Sequence, residues 1–182
     1  MSEGDDKGGG AGFVPVVNVA DAPEQGELEN GQWGGFYRVM TPGMRGAGGK
    51  LGVAWNRVPP GYTGCPFHAH HLEDEVFYVL SGRGVLRYGD DLHDLRAGDC
   101  VSCPAGTGKA HQLANTSPDE DLVYLSIGPR EPNEVCTYPD TGKVFVRKLG
   151  VIGHLAGTEY MDGEPDRPRI FDLAAERGGG GG

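Results

Sequence analysis

Residues 68–76 read HAHHLEDEV, which places three histidines and three acids within nine positions. On an extended chain successive side chains point to opposite faces, so His68 and His70 share one face and His71 points away. The LED segment predicts a tight connection, after which a new strand begins at Glu75. Two imidazoles and one carboxylate that converge in this way suit a divalent transition metal.

The strand that begins at Glu75 carries apolar residues at both alternating sets of positions in EVFYVL (75–80). This pattern predicts a strand buried on both faces, in a barrel wall that another layer covers. Glu75 shares its face with Phe77 and Val79. If that face is the barrel interior, the carboxylate must be paired or bound to a metal, because an unpaired buried charge is very costly.

The rest of the chain is built from short apolar runs with almost no helix signal. Glycine and proline interrupt it roughly every 8–12 residues, a spacing typical of all-β sandwiches and barrels. We expect strands at 13–19, 35–40, 51–58, 75–82, 84–89, 99–103, 111–115, 122–128 and 143–149. A hairpin is expected at Ser81–Gly84, between the strands 75–80 and 84–89, and a second one at Gly89–Asp91.

The length of 182 residues fits one domain with tails. We expect flexible glycine-rich tails at 1–12 and 178–182 and a barrel over 13–149. Residues 150–177 have a weak pattern and are expected to form an arm over the barrel or a partner subunit. A short helix is expected at FDLAAER within that arm.

The net charge of −10 and the pI near 4.9 argue against two classes of partner. An acidic chain has no electrostatic footprint for nucleic acid and is repelled by anionic membranes. No apolar run approaches the roughly 18 residues of a membrane span, and no secretory signal is recognisable. We therefore expect a cytoplasmic protein whose partner is a small molecule.

Four cysteines, at positions 65, 100, 103 and 136, are too few and too scattered to indicate a disulfide framework. Cys100 and Cys103 are three apart in a predicted strand and so point to opposite faces. A zinc ribbon would need a second cysteine pair. Reduced structural thiols are the expected state.

A fourth metal ligand must come from outside the opening stretch, and His111 is the best candidate. It lies on a short predicted strand that follows a glycine-rich turn. His93 lies near a hairpin tip, between two aspartates, and His154 lies in the weakly patterned arm. Both fit a metal site poorly.

At these residues the sequence resembles the cupin superfamily. The first cupin motif is usually written G-x5-H-x-H-x(3,4)-E-x6-G, and this chain keeps its spacing from the first histidine onward through His68, His70, Glu75 and Gly82. Tyr62 stands where the leading glycine would be.

The second cupin motif, usually G-x5-P-x-G-x2-H-x3-N, is also recognisable. Its positions fall on Gly98, Pro104, Gly106, His111 and Asn115. Four residues instead of two separate Gly106 from His111, which indicates a longer turn before the histidine's strand. The resemblance extends over the strand pattern of roughly residues 13–149. Within the superfamily, the sequence is similar to a poorly characterised branch of single-domain proteins.

The resemblance implies a double-stranded β-helix, that is, a jelly-roll barrel with a metal inside near one open end. By matching positions, the implied ligands are His68, His70, Glu75 and His111, around one divalent Fe, Mn, Ni, Zn or Cu ion. Roughly two coordination positions would stay open, as in catalytic sites. Asn115 is expected to hold a turn, and His71, Glu73 and Asp74 are expected to face solvent.

Three functions are compatible with such a centre. Oxygenase chemistry on a small polar metabolite is slightly favoured, because three imidazoles and one carboxylate leave a divalent ion with net positive charge and open positions. Isomerisation or epimerisation of a sugar or sugar phosphate is the alternative, with Lys109 or Arg57 as a candidate phosphate clamp. A non-catalytic ligand sensor is the third. Cupins commonly dimerise through a barrel face, so a homodimer is also expected.

Overall fold

Short strands dominate the computed structural model, which describes residues 12–178. In chain order the strands are β1 (Gln25–Leu28), β2 (Gly34–Val39), β3 (Leu51–Val58), β4 (Ala69–His70), β5 (Glu75–Ser81), β6 (Arg83–Tyr88), β7 (Asp91–Arg96), β8 (Cys100–Cys103), β9 (His111–Ala114), β10 (Leu122–Pro129), β11 (Val135–Tyr138), β12 (Lys143–Val146) and β13 (Val151–His154). A 3₁₀ helix spans Arg147–Leu149, and α1 spans Ile170–Gly178. Of the two predicted tails, residues 1–11 and 179–182 lie outside the described residues.

The strands form three antiparallel sheets that wrap into a jelly-roll barrel. The largest has the strand order β1-β2-β3-β10-β5-β8, the second β13-β12-β11-β4, and the third β7-β6-β9. Strands far apart in sequence, such as β3 and β10, are neighbours along their whole length. The predicted all-β jelly roll is confirmed.

The hydrophobic core lies between the six-stranded and the three-stranded sheet. Its members come from both layers: Val58, Phe77, Val79, Leu86, Leu95, Val101, Cys103, Leu113, Leu122 and Tyr124. Val79 and Leu122 are fully buried. Complete burial of one such aliphatic side chain contributes about 1.5–3 kcal/mol, so this cluster holds the two layers together.

Strand β5 is buried on one face only. Phe77 and Val79 point into the core, whereas Tyr78 and Leu80 are each 41% exposed on the outer side. The prediction of burial on both faces is therefore wrong. Within residues 12–178, no further layer covers the outside of the barrel at these two side chains.

The predicted hairpin at Ser81–Gly84 is also wrong, because β5 and β6 belong to different sheets. Gly82 has a φ of 80°, and a Cβ there would lie 2.1 Å from the carbonyl oxygen of Asp121. A Cβ at Gly84 would lie 2.5 Å from the carbonyl oxygen of Ala114. The two glycines let the chain press against one sheet and then cross to the other. The second predicted hairpin is confirmed, since β6 pairs with β7 around Gly89 and Asp90.

Three further segments test the predicted elements. Residues 13–19 form no strand, because Pro15 lacks an amide donor and Asn18 begins a turn by accepting from the amides of Asp21 and Ala22. The run 143–149 is a strand only to Val146, after which the 3₁₀ helix follows. The predicted helix FDLAAER lies within α1 and is confirmed.

The C-terminal arm leaves the barrel at its edge. β13 pairs with β12, and every described residue from 148 to 177 is exposed. None of the helices found between residues 12 and 178 has the length and apolar character needed to cross a membrane.

Candidate metal centre

Backbone pairing brings the two histidine motifs together. His68 donates its amide hydrogen to the carbonyl of His111 (3.1 Å), and His111 donates back to His68 (2.8 Å). His70 ends β4, and Glu75 begins β5 after a short connection. Four residues that lie up to 43 positions apart in the sequence therefore meet at one place in the barrel.

The Glu75 carboxylate lies at the centre of the cluster. Its Oε2 atom is 2.8 Å from Nε2 of His111, 3.3 Å from Nε2 of His70 and 3.8 Å from Nε2 of His68. One donor atom from each of the four residues lies within 4.8 Å of all the others. The structure thus brings together all four residues that the motifs predict as ligands.

Burial and hydrogen bonding together set the charge state of the cluster. Glu75 is 7% exposed; burial alone would raise its pKa, but hydrogen bonds from His111 and His70 outweigh burial and hold the pKa well below its usual range. His111 is 2% exposed, and burial lowers its pKa. An ionised carboxylate beside a neutral imidazole is the protonation state that metal coordination requires.

The contacts of Nδ1 in His68 and His70 bear on which ring nitrogen carries the hydrogen. Nδ1 of His68 lies 2.8 Å from the Pro66 carbonyl oxygen, which can only accept, so Nδ1 carries the hydrogen. Nδ1 of His70 lies 3.7 Å from the Glu134 carboxylate and 3.4 Å from Sγ of Cys136. A hydrogen on Nδ1 of His70 would lie toward these two groups and would leave Nε2 to coordinate an ion.

The Nε2 atoms of the two rings lie only 3.0 Å apart and both face Oε2 of Glu75. A bound cation would take the place of the hydrogen that His70 donates to Glu75. The donor set of three imidazoles and one carboxylate suits a first-row transition metal, and the cluster can hold one ion.

A comparison with protein families agrees with this geometry. The family described as the cupin domain matches residues 54–128, which contain most of β3 and β10, all strands between them, and both histidine motifs. The chain therefore carries a cupin domain, which covers 75 of its 182 residues.

Three relatives illustrate the range of this superfamily. An oxalate-binding protein of Thermotoga maritima is 32% identical over 71 residues, which cover 39% of this chain and 55% of that protein. The alignment thus spans about half the length of that relative. The crystal structure of a candidate sugar phosphate isomerase from Acidithiobacillus ferrooxidans is 29% identical, covers 68% of this chain and 81% of its own, and has a TM-score of 0.58. A sugar phosphate isomerase from Silicibacter pomeroyi, 24% identical over 81% of this chain and 98% of its own, has a TM-score of 0.64 and supports the fold.

The cupin also buries an acid that the sequence analysis places in solvent. His71 and Asp74 are exposed as expected, but Glu73 is only 5% exposed, so that prediction is wrong. Glu73 forms an ion pair with Arg147, with Nη2 and Oε2 2.9 Å apart, and lies 3.6 Å from Nδ1 of His70. Alternation could have found it, because residues 73 and 75 are two apart and share a face.

Glu134 is a second buried acid, and the sequence alone does not indicate it. It is fully buried and accepts hydrogen bonds from the amides of His71 (2.7 Å) and Leu72 (2.9 Å). Its carboxylate thereby fixes the connection between β4 and β5 behind His70. No local signal announces this role, because its partners lie more than 60 residues away.

The remaining histidines and Asn115 lie away from the cluster. His93 and His154 are exposed on β7 and β13. Asn115 is 1% exposed and donates to the carbonyls of Val58 and Glu120, both at 2.8 Å. It therefore holds the turn after β9, as expected, and does not reach the metal centre.

The cysteines of this cupin are free thiols. Cys100 is exposed and Cys103 is buried, as alternation in β8 predicts. Burial raises the pKa of Cys103 to about 12, so that thiol stays protonated. Cys136 lies behind His70, and Cys65 lines the cavity beside the cluster, so two of the four are closer to the site than expected.

That cavity opens beside the cluster and has a volume of about 490 Å³. His68 and Glu75 form part of its wall. Its other lining residues are largely apolar or aromatic, with a few polar groups: Gly26, Glu27, Glu29, Trp33, Gly34, Gly35, Phe36, Tyr37, Asn56, Val58, Gly64, Cys65, Pro66, Phe77, Leu113, Tyr124 and Ser126. A concave apolar site with a few polar groups is the usual form of a small-molecule site.

Proposed function

We propose that this cupin is a metal-dependent enzyme for a small polar metabolite, with His68, His70, Glu75 and His111 as ligands of one divalent transition metal. One observation carries the proposal: four buried donor atoms lie within 4.8 Å of one another beside a cavity of about 490 Å³. Structural sites are closed, whereas a site beside a cavity leaves room for substrate.

The side chains around the centre have separable roles. Glu75 contributes one negative charge and the three neutral imidazoles contribute none, so a bound divalent ion would keep a net positive charge. Such an ion would supply a Lewis-acidic and redox-active centre. Phe77 and Leu113 form an apolar wall beside the ligands and exclude water from that side.

Oxygenase chemistry is our first candidate. A positively charged centre with open positions favours an enolate or carboxylate substrate beside dioxygen. The aromatic wall would protect a reactive substrate from water. The test is oxygen consumption by the Fe(II)-loaded protein with a panel of hydroxycarbonyl and carboxylate compounds, followed by product analysis. Turnover that continues unchanged without oxygen contradicts this candidate.

Isomerisation is the second candidate, supported by the likeness to the Acidithiobacillus ferrooxidans protein. For this reaction the same panel is converted without oxygen, and the product has the mass of the substrate. Ligand binding without turnover is the third candidate, supported by the name of the Thermotoga maritima relative. It predicts saturable binding of a panel compound that is recovered unchanged. His111→Ala is the control for all three, because it removes a proposed ligand.

A further inference from the structure

Three buried polar side chains line the cavity beyond the proposed ligands. Tyr124 and Ser126 lie two apart on β10, and Asn56 on β3 is the register partner of Tyr124. Their exposed fractions are 7%, 8% and 8%. The ring of Phe77 contacts both the Tyr124 ring (5.8 Å) and the His111 ring (5.6 Å). We call these three side chains the ledge. The ring of Phe77 separates the ledge from His111, a proposed metal ligand.

The hydrogen bonds of the ledge leave specific groups for a ligand. Asn56 Nδ2 donates to the carbonyl of Ala54 (3.1 Å) and to Oγ of Ser126 (3.0 Å), which uses both amide hydrogens and leaves Oδ1 as an acceptor. Ser126 keeps its own hydroxyl proton. The Tyr124 hydroxyl has no hydrogen-bond partner among residues 12–178, and burial raises its pKa, so it remains a donor.

The charge of the cavity limits what it can bind. Of the described residues that line it, none is a lysine or an arginine, while Glu27 and Glu29 add carboxylates. Arg57 alternates with Asn56 on β3, points to the other face and pairs with Glu24 and Asp121. Lys109 is exposed, with its ammonium over the Tyr88 ring. A phosphate group would therefore meet carboxylates and no cationic side chain.

We propose that the cavity takes an uncharged, unphosphorylated hydroxycarbonyl compound and that the ledge binds the end that does not reach the metal. The hydroxyls of Tyr124 and Ser126 donate to oxygens of the ligand, and Oδ1 of Asn56 accepts from a ligand hydroxyl. This inference rests on the proposed function, because the other end of the ligand needs the metal. The inferred substrate is uncharged, whereas the substrate of a sugar phosphate isomerase carries a phosphate group.

The test uses the full chain loaded with Co(II), whose visible absorption reports changes at the metal. The probes are D-erythrulose and D-erythrulose 4-phosphate, which differ only in the phosphate. We expect saturable spectral changes with erythrulose and at least about tenfold weaker binding of the phosphate. Tyr124→Phe and, as a second variant, Ser126→Ala weaken erythrulose binding about three- to tenfold, because each loses one hydrogen bond. Tyr78→Phe on the outer face of β5 is the matched control and binds as the wild type does.

The possible outcomes distinguish failure of the inferred ligand class from failure of the proposed metal-dependent function. Full cobalt uptake with equal or tighter binding of the phosphate overturns the inference alone. The inference is also overturned if erythrulose gives no saturable change, or if Tyr124→Phe and Ser126→Ala both keep wild-type affinity. A wild-type protein that takes up no cobalt overturns the proposed function, and the inference with it.

Discussion

The Nε2 atoms of His68 and His70 lie 3.0 Å apart inside the barrel, and both face the Glu75 carboxylate. Only the folded chain holds these donor atoms together, so we expect metal binding to stabilise the fold. At a free metal concentration of 100 times Kd, the gain is about 2.7 kcal/mol. Calorimetry of chelator-treated protein with and without added Mn(II) or Co(II) measures it. An unchanged Tm at full metal occupancy would contradict the expectation.

The ligand assignment predicts selective loss of metal. We expect His68→Ala and His111→Ala to abolish stoichiometric metal without unfolding the barrel, because each removes one of only four donors. His93→Ala is the control, since that ring is exposed on β7. Elemental analysis of untagged protein gives the metal content, and circular dichroism checks the fold. Normal metal content in either ligand variant would refute the site.

We expect the buried ion pair between Glu73 and Arg147 to stabilise the fold more than the partly exposed pair between Glu24 and Arg57 does. The exposed fractions of the two side chains are 6% and 17%, so Glu73→Gln removes a carboxylate that pairs with a largely buried guanidinium and costs about 3 kcal/mol. Glu24→Gln is the matched control, because Glu24 and Arg57 are 31% and 28% exposed and such a pair contributes less than about 1 kcal/mol. Urea unfolding of both variants gives the difference, and equal losses would show that burial does not set the strength of these pairs.

The depressed pKa of Glu75 predicts the acid sensitivity of the metal-free protein. The folded-state pKa lies below the usual value of 4.5, so the stabilisation is present above pH 4.5 and is lost as the pH falls toward the folded-state pKa. In that window the unfolded state binds the extra proton, and the slope contributes up to about 1.4 kcal/mol per pH unit. Denaturant unfolding between pH 5.5 and pH 3, with chelator present, should show a steeper loss for the wild type than for Glu75→Gln. Parallel curves would mean that Glu75 is not held ionised.

Local alternation predicts three of the four candidate ligands. His68 and His70 share a face because they are two apart, and register with Phe77 selects Glu75 over Glu73 and Asp74. His111 lies 36 residues beyond Glu75, on its own predicted strand, and the second motif supports it. The prediction of a solvent-exposed Glu73 is wrong, because its buried partner Arg147 lies 74 positions further along the chain and no local pattern indicates it.

The errors in the fold have the same physical origin. Apolar residues on both sides of β5 suggested a covered strand, yet the outer positions of Tyr78 and Leu80 are exposed. Sequence alternation shows which residues share a face, but the cover over that face depends on other parts of the chain. The turn at Gly82 has the composition of a hairpin, and only its contact with Asp121, the residue before β10, shows that the chain changes sheets.

That contact gives the last prediction. Gly82 and Gly89 both have positive φ values, 80° and 60°, so alanine at either position incurs backbone strain of about 1 kcal/mol or slightly more. At Gly89 nothing lies within 4 Å of the added Cβ, whereas at Gly82 the Cβ would lie 2.1 Å from the backbone oxygen of Asp121. Backbone cannot move aside as a flexible side chain can. We therefore expect Gly89→Ala to lose only the strain energy and Gly82→Ala to lose about 3 kcal/mol or more.

Urea unfolding of the two variants measures this difference, and the metal content adds a second readout. Gly82 directly follows β5, which carries Glu75 at its start. From Gly82 the chain enters β6, in the sheet that contains His111. A shift of the crossing displaces one layer of the barrel relative to the other, so we expect Gly82→Ala to bind metal more weakly than Gly89→Ala does. Equal stability of the two variants would show that the approach to Asp121 is not what separates this crossing from an ordinary hairpin.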